Sequence, residues 1–324
     1  MNKPIYTPGA ILFLISFMVC NPLYANIYKF YSSTDNISNS HINRIYQDRQ
    51  GLLWICTDNG LNVFDGTNFK AYYNNPNDSA SLLNNTVLSV LDDSNGFFWV
   101  GTTAGLQRFD RETEQFINIH LSYPHISDFS YINCIMEDSK GNIWISTTRA
   151  GAVCILAETH QPVYYMKTNS NICSNKINVI YEDRFHNIWF GSQDNGISVL
   201  NMQNLMITNY KCQPNDEHSL SSNKIFSIIE NYDGNILIGT IDKGIDMYQY
   251  ENQNIIRNYI PYAENIFTLY KDSKNRLWIG TDGSGLKLYD YVTKTITTCE
   301  SESKDLDLRN VKVHGIIEDS NGNI

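Results

Sequence analysis

Charge is sparse in this chain of 324 residues: Asp, Glu, Lys and Arg make up 18%, against 42% hydrophobic residues. A disordered chain would be richer in charge and poorer in apolar side chains, so a packed core is implied. Basic residues are in deficit, with 24 Lys and Arg against 34 Asp and Glu and a net charge of −10. That balance excludes direct nucleic-acid contact through a basic surface. From Asn26 onward no apolar run approaches the roughly 20 residues a bilayer span requires. Cysteine is scarce too. Apart from Cys20 there are Cys56, Cys134, Cys154, Cys173, Cys212 and Cys299, with no C-x-x-C pair, which excludes a disulfide-dense scaffold. Cys56, Cys134 and Cys154 sit in apolar runs and read as small core residues, while Cys173 and Cys212 lie in loops where pairing is left open. The seven His are scattered, with neither H-E-x-x-H nor G-x-S-x-G, so no metal site, nucleophile elbow or cofactor is called for.

What is present begins with an address. Lys3 precedes an apolar run from Ala10 to Cys20, followed by Asn21-Pro22-Leu23-Tyr24-Ala25. A charged start, a short apolar stretch and a small residue at the end form a secretory signal peptide, residues 1–25, cleaved after Ala25. A buried N-terminal helix and a lipoprotein site at Cys20 are weaker readings. Phe17-Met18-Val19 lacks the small residue that lipid modification prefers. Residues 26–324 then form the exported domain.

That domain repeats. Asp48–Thr57, Asp93–Thr102, Asp138–Thr147, Asp183–Ser192 and Asp272–Thr281 share one frame, and Asn231–Thr240 is a degenerate copy. Trp54, Trp99, Trp144, Trp189, Leu237 and Trp278 mark it at steps of 45, 45, 45, 48 and 41 residues. Each unit reads as four short strands, a to d. In blade 1 they are Ile42–Tyr46, a D-x-x-G type I turn, Leu52–Ile55, Leu61–Phe64 and Phe69–Tyr73. Gly60, Gly105, Gly151, Gly196, Gly244 and Gly285 close the b–c turns and call for positive φ. Four strands per unit of 40–50 residues mean a β-propeller. Asn26–Tyr31 reads as an orphan strand d that closes the ring against the last blade, and Val311–Ile317 as a strand a followed by the turn Asp319-Ser320-Asn321-Gly322. The expected fold is therefore an all-β, seven-bladed propeller of four-stranded antiparallel blades, incomplete in its last blade. Recurrence of Asp48, Asp93, Asp138, Asp183, Asp272 and Asp319 once per blade assigns them to turns rather than to catalysis.

The frame I-x-x-D-x-x-G-x-[LI]-W-[IV]-G-T-x-x-G-[LI]-x-x-[FY]-D, from about Ile42 to the end, resembles the two-component regulator propeller repeat. The loops Asn75–Leu82 and Pro214–Leu220 resemble its Asn-Pro-Asp-Ser-Leu connector. Cys56 and Ser146 depart from the frame's Gly, and the fifth blade is weakened. The resemblance implies the periplasmic sensor region of a hybrid two-component histidine kinase. In such proteins membrane, kinase, receiver and DNA-binding regions follow the propellers, here beyond Ile324. It also implies an oligosaccharide ligand released from glycans and control of transcription through the kinase. Whether a homodimer forms stays open.

The d–a loops vary in length and share one propeller face with the b–c turns, and variable loops on a rigid scaffold are where recognition sits. The candidate ligand residues there are Tyr123, His125, Phe129 and Tyr131 from one loop, with Arg149, Asp194, Asp242, Lys243 and Asp282 from b–c turns. Aromatic faces and planar polar groups suit a sugar. The competing readings are a secreted propeller lyase or glycosidase, which needs a converging pair of carboxylates outside the repeat, and a protein-interaction scaffold.

Overall fold

The computed structural model describes residues 12–16, 27–31, 33–121, 131–260, 265–299 and 308–324. The repeat becomes six four-stranded antiparallel sheets, each in sequential order. Blade 1 comprises strands a (Ile42–Gln47), b (Leu53–Thr57), c (Gly60–Phe64) and d (Phe69–Tyr72). The innermost strands of blades 2 to 6 are Val87–Asp92, Ile132–Glu137, Ile177–Glu182, Ile225–Glu230 and Ile266–Lys271. No described helix is long and apolar enough to cross a membrane.

Each D-x-x-G turn explains its own residues. In blade 1 the Gly51 N–H bonds the Asp48 carbonyl at 2.9 Å, and Asp48 Oδ1 accepts the N–H groups of Gln50 and Leu52, each at 2.9 Å. The second oxygen accepts the indole of the strand-b tryptophan. Trp54–Asp48, Trp99–Asp93, Trp144–Asp138, Trp189–Asp183 and Trp278–Asp272 span 2.7–2.9 Å. One carboxylate thus ties the turn to a ring that must be buried yet must satisfy its N–H. Blade 5 carries Leu237 in place of Trp and Asn231 in place of Asp. With no indole to satisfy, the second carboxylate oxygen has lost its task, and Asn231 Oδ1 alone caps the turn.

The tryptophans wedge neighbouring blades together. Trp54 packs with Phe98, Val100 and Phe109 of blade 2, its ring 4.3 Å from that of Phe98. Beneath the core, the acid preceding the frame's Asp accepts from the turn of the preceding blade. Glu182 takes the Ser139 N–H at 2.7 Å and its hydroxyl at 2.6 Å, and Glu137 does the same for Ser94. The b–c glycines have positive φ, as expected; a Cβ on Gly151 would lie 2.1 Å from the Tyr165 carbonyl oxygen.

Acid should weaken this scaffold through its caps. Burial raises the Asp272 carboxyl, but the Trp278 indole, the Arg276 N–H and its guanidinium outweigh that and hold it below its ordinary 3.8. A depressed folded-state value contributes stability that is present above the unfolded value and lost as pH falls through the folded one. As pH falls below about 4, urea midpoints of Asp272→Asn should therefore fall less steeply than those of the parent. Equal slopes would refute the assignment.

The blade count corrects the seven-bladed expectation: the described residues form six blades, and no incomplete seventh sheet. Ile27–Tyr31 is a strand, but it pairs antiparallel with Leu12–Ser16 rather than with the last blade. A five-residue apolar partner close in sequence satisfies its backbone without a long-range closure. Of the strand expected from Val311 to Ile317, only one bridge forms, Asp282 to Lys312. No described strand lies outside it to complete a ladder. The residues 311–324 nevertheless fill the space between blades 6 and 1. Ile316 and Ile324 cover Trp278, Gly315 lies against Ile45, and the Ser320 N–H bonds Gln47 Oε1 at 3.2 Å. The expected turn at Asp319 is present, with the Gly322 N–H on the Asp319 carbonyl at 3.0 Å. All six described cysteines are free, and Cys56, Cys134 and Cys154 are core residues.

Candidate functional site

The d–a loops and b–c turns do share a face, because backbone bonds join them. In blades 1, 3 and 4 the glycine N–H of the b–c turn reaches the end of the following loop: Gly60 to Asn85, Gly151 to Asn175 and Gly196 to Asn223, at 2.7–3.0 Å. Tyr123, His125 and Phe129 lie outside the described residues. Tyr131 is half exposed beside strand a of blade 3, and its carbonyl accepts the Thr148 N–H, which places it next to exposed Arg149. Lys243 is exposed as well.

The three acids are already engaged. Asp194 pairs with Lys176 at 3.1 Å and accepts the Ser174 hydroxyl at 2.7 Å; Asp242 pairs with Lys224 at 3.2 Å, and Asp282 with Lys312 at 2.7 Å. Burial raises Asp194 and Asp242, yet bonds from Ser174 and Lys176, and from Ser222 and Lys224, hold both below the usual carboxylate range. These partly exposed pairs join the entrance of strand a to a b–c turn, and such pairs contribute little stability. No bond brings the three acids together. Tyr131 and Arg149 are the predicted residues that the fold makes neighbours.

Sequence reasoning missed the axis. The six inner strands enclose a cavity of about 880 Å³. Every inner strand carries a bulge at its start, at Ile42/Arg44, Val87/Ser89, Ile132/Cys134, Ile177/Val179, Ile225/Ser227 and Ile266/Thr268. A bulge re-aims side chains, and here the extra residue lines the cavity near the loop face. Those residues are Asn43, Leu88, Asn133, Asn178, Phe226 and Phe267, with His314 between blades 6 and 1. They form two arcs. Phe226, Phe267 and His314 are contiguous, with ring centroids 5.5 and 4.4 Å apart. Burial, then neighbouring His41, lowers the His314 imidazole, so this arc is uncharged at neutral pH. Opposite stand the amides, whose Nδ2 groups stitch the blades: Asn43 to Val87, Asn133 to Ile177 and Asn178 to Ile225, at 2.8–3.0 Å. The available signal was the position five residues before each frame Asp, which varies from Asn to Leu, Phe and His while the residue before it is always Ile or Val. At the other mouth the lining acids are occupied. Asp92 pairs with Arg111 at 3.1 Å, and Glu137 and Glu182 accept from serines.

A family model described as "Two component regulator propeller" matches residues 36–59, 81–104, 127–149, 171–194 and 263–283, following blades 1, 2, 3, 4 and 6. Blade 5, which lacks the Asp–Trp pair, is passed over. A histidine kinase, P4, from Formosa agariphila is 46% identical over 56 residues, 17% of this chain and 4% of its own length. Among solved structures, the extracellular domain assigned to a hybrid two component system of B. thetaiotaomicron superposes with a TM-score of 0.77 at 23% identity, over 96% of this chain and 40% of that one. A virginiamycin B lyase from Staphylococcus aureus gives 0.62 at 16% identity, over 82% and 85%. At such identities the structural likenesses show the propeller fold. The chain spans well under half the length of the kinase and of the extracellular domain it resembles. Five matched repeats, each centred on an Asp–Trp turn found in the structure, decide the matter: the chain carries the two-component regulator propeller repeat in five of its six blades.

Proposed function

We propose that this propeller is the ligand-sensing segment of a hybrid two-component signalling protein. It is exported by residues 1–25, whose cleavage would take Leu12–Ser16 away from Ile27–Tyr31, stands in the periplasm, and takes a glycan-derived oligosaccharide on its loop face. Its occupancy controls transcription through membrane and kinase regions that follow Ile324. The observation that carries this reading is the repeat match itself, in a chain whose likenesses include a histidine kinase and a two-component extracellular domain. The proposed role is binding rather than turnover. In support, the acids lining the cavity are already held, Asp92 by Arg111 of its own blade and Glu137 and Glu182 by serines of the preceding blades, whereas hydrolysis needs a free acid/base pair.

Tyr131 and Arg149 are the contacts proposed on that face, an aromatic plane beside a fork of donors. Calorimetry of the chain against a panel of oligosaccharides should find a binder, and Arg149→Ala should weaken it by at least about tenfold, the loss of one charged hydrogen-bonding group. Affinity unchanged by the substitution would remove Arg149 from the site. Silence across the panel would sink the sensor reading.

A further inference from the structure

Arg44 stands at the bulge of blade 1 and lines the axial cavity, where its Nη1 reaches Cys134 Sγ at 3.8 Å. Cys134 belongs to blade 3, and blade 2 lies between. The side chain therefore crosses the cavity rather than running along its wall. Its guanidinium has no carboxylate within ion-pair distance among the described residues. The acids that line the cavity sit at the opposite mouth, where Asp92 is held by Arg111, Glu137 by Ser94 and Glu182 by Ser139 and His186. The loop-face acids Asp58, Asp194, Asp242 and Asp282 are paired with His41, Lys176, Lys224 and Lys312. A cation held in a cavity without a counter-charge is costly, and a guanidinium fork matches a carboxylate in two parallel hydrogen bonds.

The surroundings define what carries that carboxylate. Between Arg44 and the loop face stand the aromatic arc of Phe226, Phe267 and His314 and, across from it, the amides of Asn133 and Asn178. An apolar platform facing hydrogen-bonding groups suits a sugar ring, and about 880 Å³ lies within the range of small-ligand sites. We propose that the axial cavity is a subsite for an acidic sugar, a uronic acid whose carboxylate pairs with Arg44 while its ring lies against Phe226 and Phe267. The inference rests on the saccharide-sensing reading, and it names the chemical class of the ligand.

The test is calorimetry of the intact chain with glucuronate and galacturonate, with glucose and galactose as neutral parents, and with inorganic phosphate. The uronates should bind at least about tenfold more tightly than their parents, and Arg44→Gln should abolish that preference, as loss of a charged pair requires. Added salt should weaken uronate binding. Cys134→Asp provides a second route if Arg44→Gln does not fold. It places a carboxylate where the guanidinium already lies, so the site should be filled internally and uronate binding lost while the melting temperature is kept. Uronate binding that survives both substitutions overturns the proposal, as does equal affinity for the neutral parents. Phosphate binding as tightly as the uronates, in an Arg44-dependent way, overturns the sugar and leaves an inorganic anion site. Neutral oligosaccharides binding through Arg149 while uronates do not would overturn this subsite and leave the sensor reading standing. No binding by any saccharide would remove both.

Discussion

Replacing Trp144 with alanine should destabilise the propeller by about 3–5 kcal/mol, the range for losing a large aromatic from a core. The ring is fully buried, donates its indole N–H to Asp138 at 2.8 Å, and lies 5.3 Å from Tyr165 and 5.7 Å from Phe190. Phe190 belongs to blade 4, so the cavity would open between two blades rather than inside one. Rigid backbone ladders on both sides limit how far it could collapse, which places the expected cost towards the upper end. Urea unfolding followed by circular dichroism measures it, and the melting temperature should fall by on the order of 10 °C. A loss below about 1.5 kcal/mol would mean that the tryptophans fill space without joining blades.

Asp183→Ala should cost about as much, on the order of 4 kcal/mol, for a different reason. Its Oδ1 accepts the N–H groups of Phe185 and Asn187, each at 2.9 Å. Its Oδ2 accepts Asn187 Nδ2 at 2.9 Å, the Trp189 indole at 2.7 Å and the Tyr250 hydroxyl at 2.6 Å. Burial, with the bond to this carboxylate, pushes the Tyr250 phenol far above its usual range, so it stays a donor. Alanine leaves five donors without their acceptor, and a buried donor left unmet costs about 1–3 kcal/mol. Blade 5 suggests the control. Asn231 with Leu237 occupies the same two places without a carboxylate. Asp183→Asn should therefore be costly beside Trp189 and milder beside Trp189→Leu. A double-mutant cycle should return a coupling of about 0.5–3 kcal/mol. A coupling near zero would mean that carboxylate and indole act independently.

These two residues belong to what was legible beforehand. The 45-residue period, the turn chemistry of D-x-x-G and the positive-φ glycines are local. Each needs only a few neighbouring residues, so four-stranded blades, turns and buried tryptophans could be read directly. The shared loop face followed from the same arithmetic, and the Gly-to-loop bonds bear it out. Three things were not legible. The number of blades depends on what the two ends pair with, and Ile27–Tyr31 chose Leu12–Ser16. The acids singled out on the loop face proved to be paired to Lys176, Lys224 and Lys312, because partners 18 to 30 residues away meet only when the turns fold. The axial lining was hidden because a bulge breaks the period-two alternation from which facing is inferred, sending Asn43 and Arg44, or Asn133 and Cys134, to the same side. By itself the sequence determined the repeating unit and its internal supports, since those are set by local stereochemistry and by burial. Only the tertiary structure decided how many units close the ring, which charges neutralise one another, and that Arg44 faces the axis without an acid among the described residues.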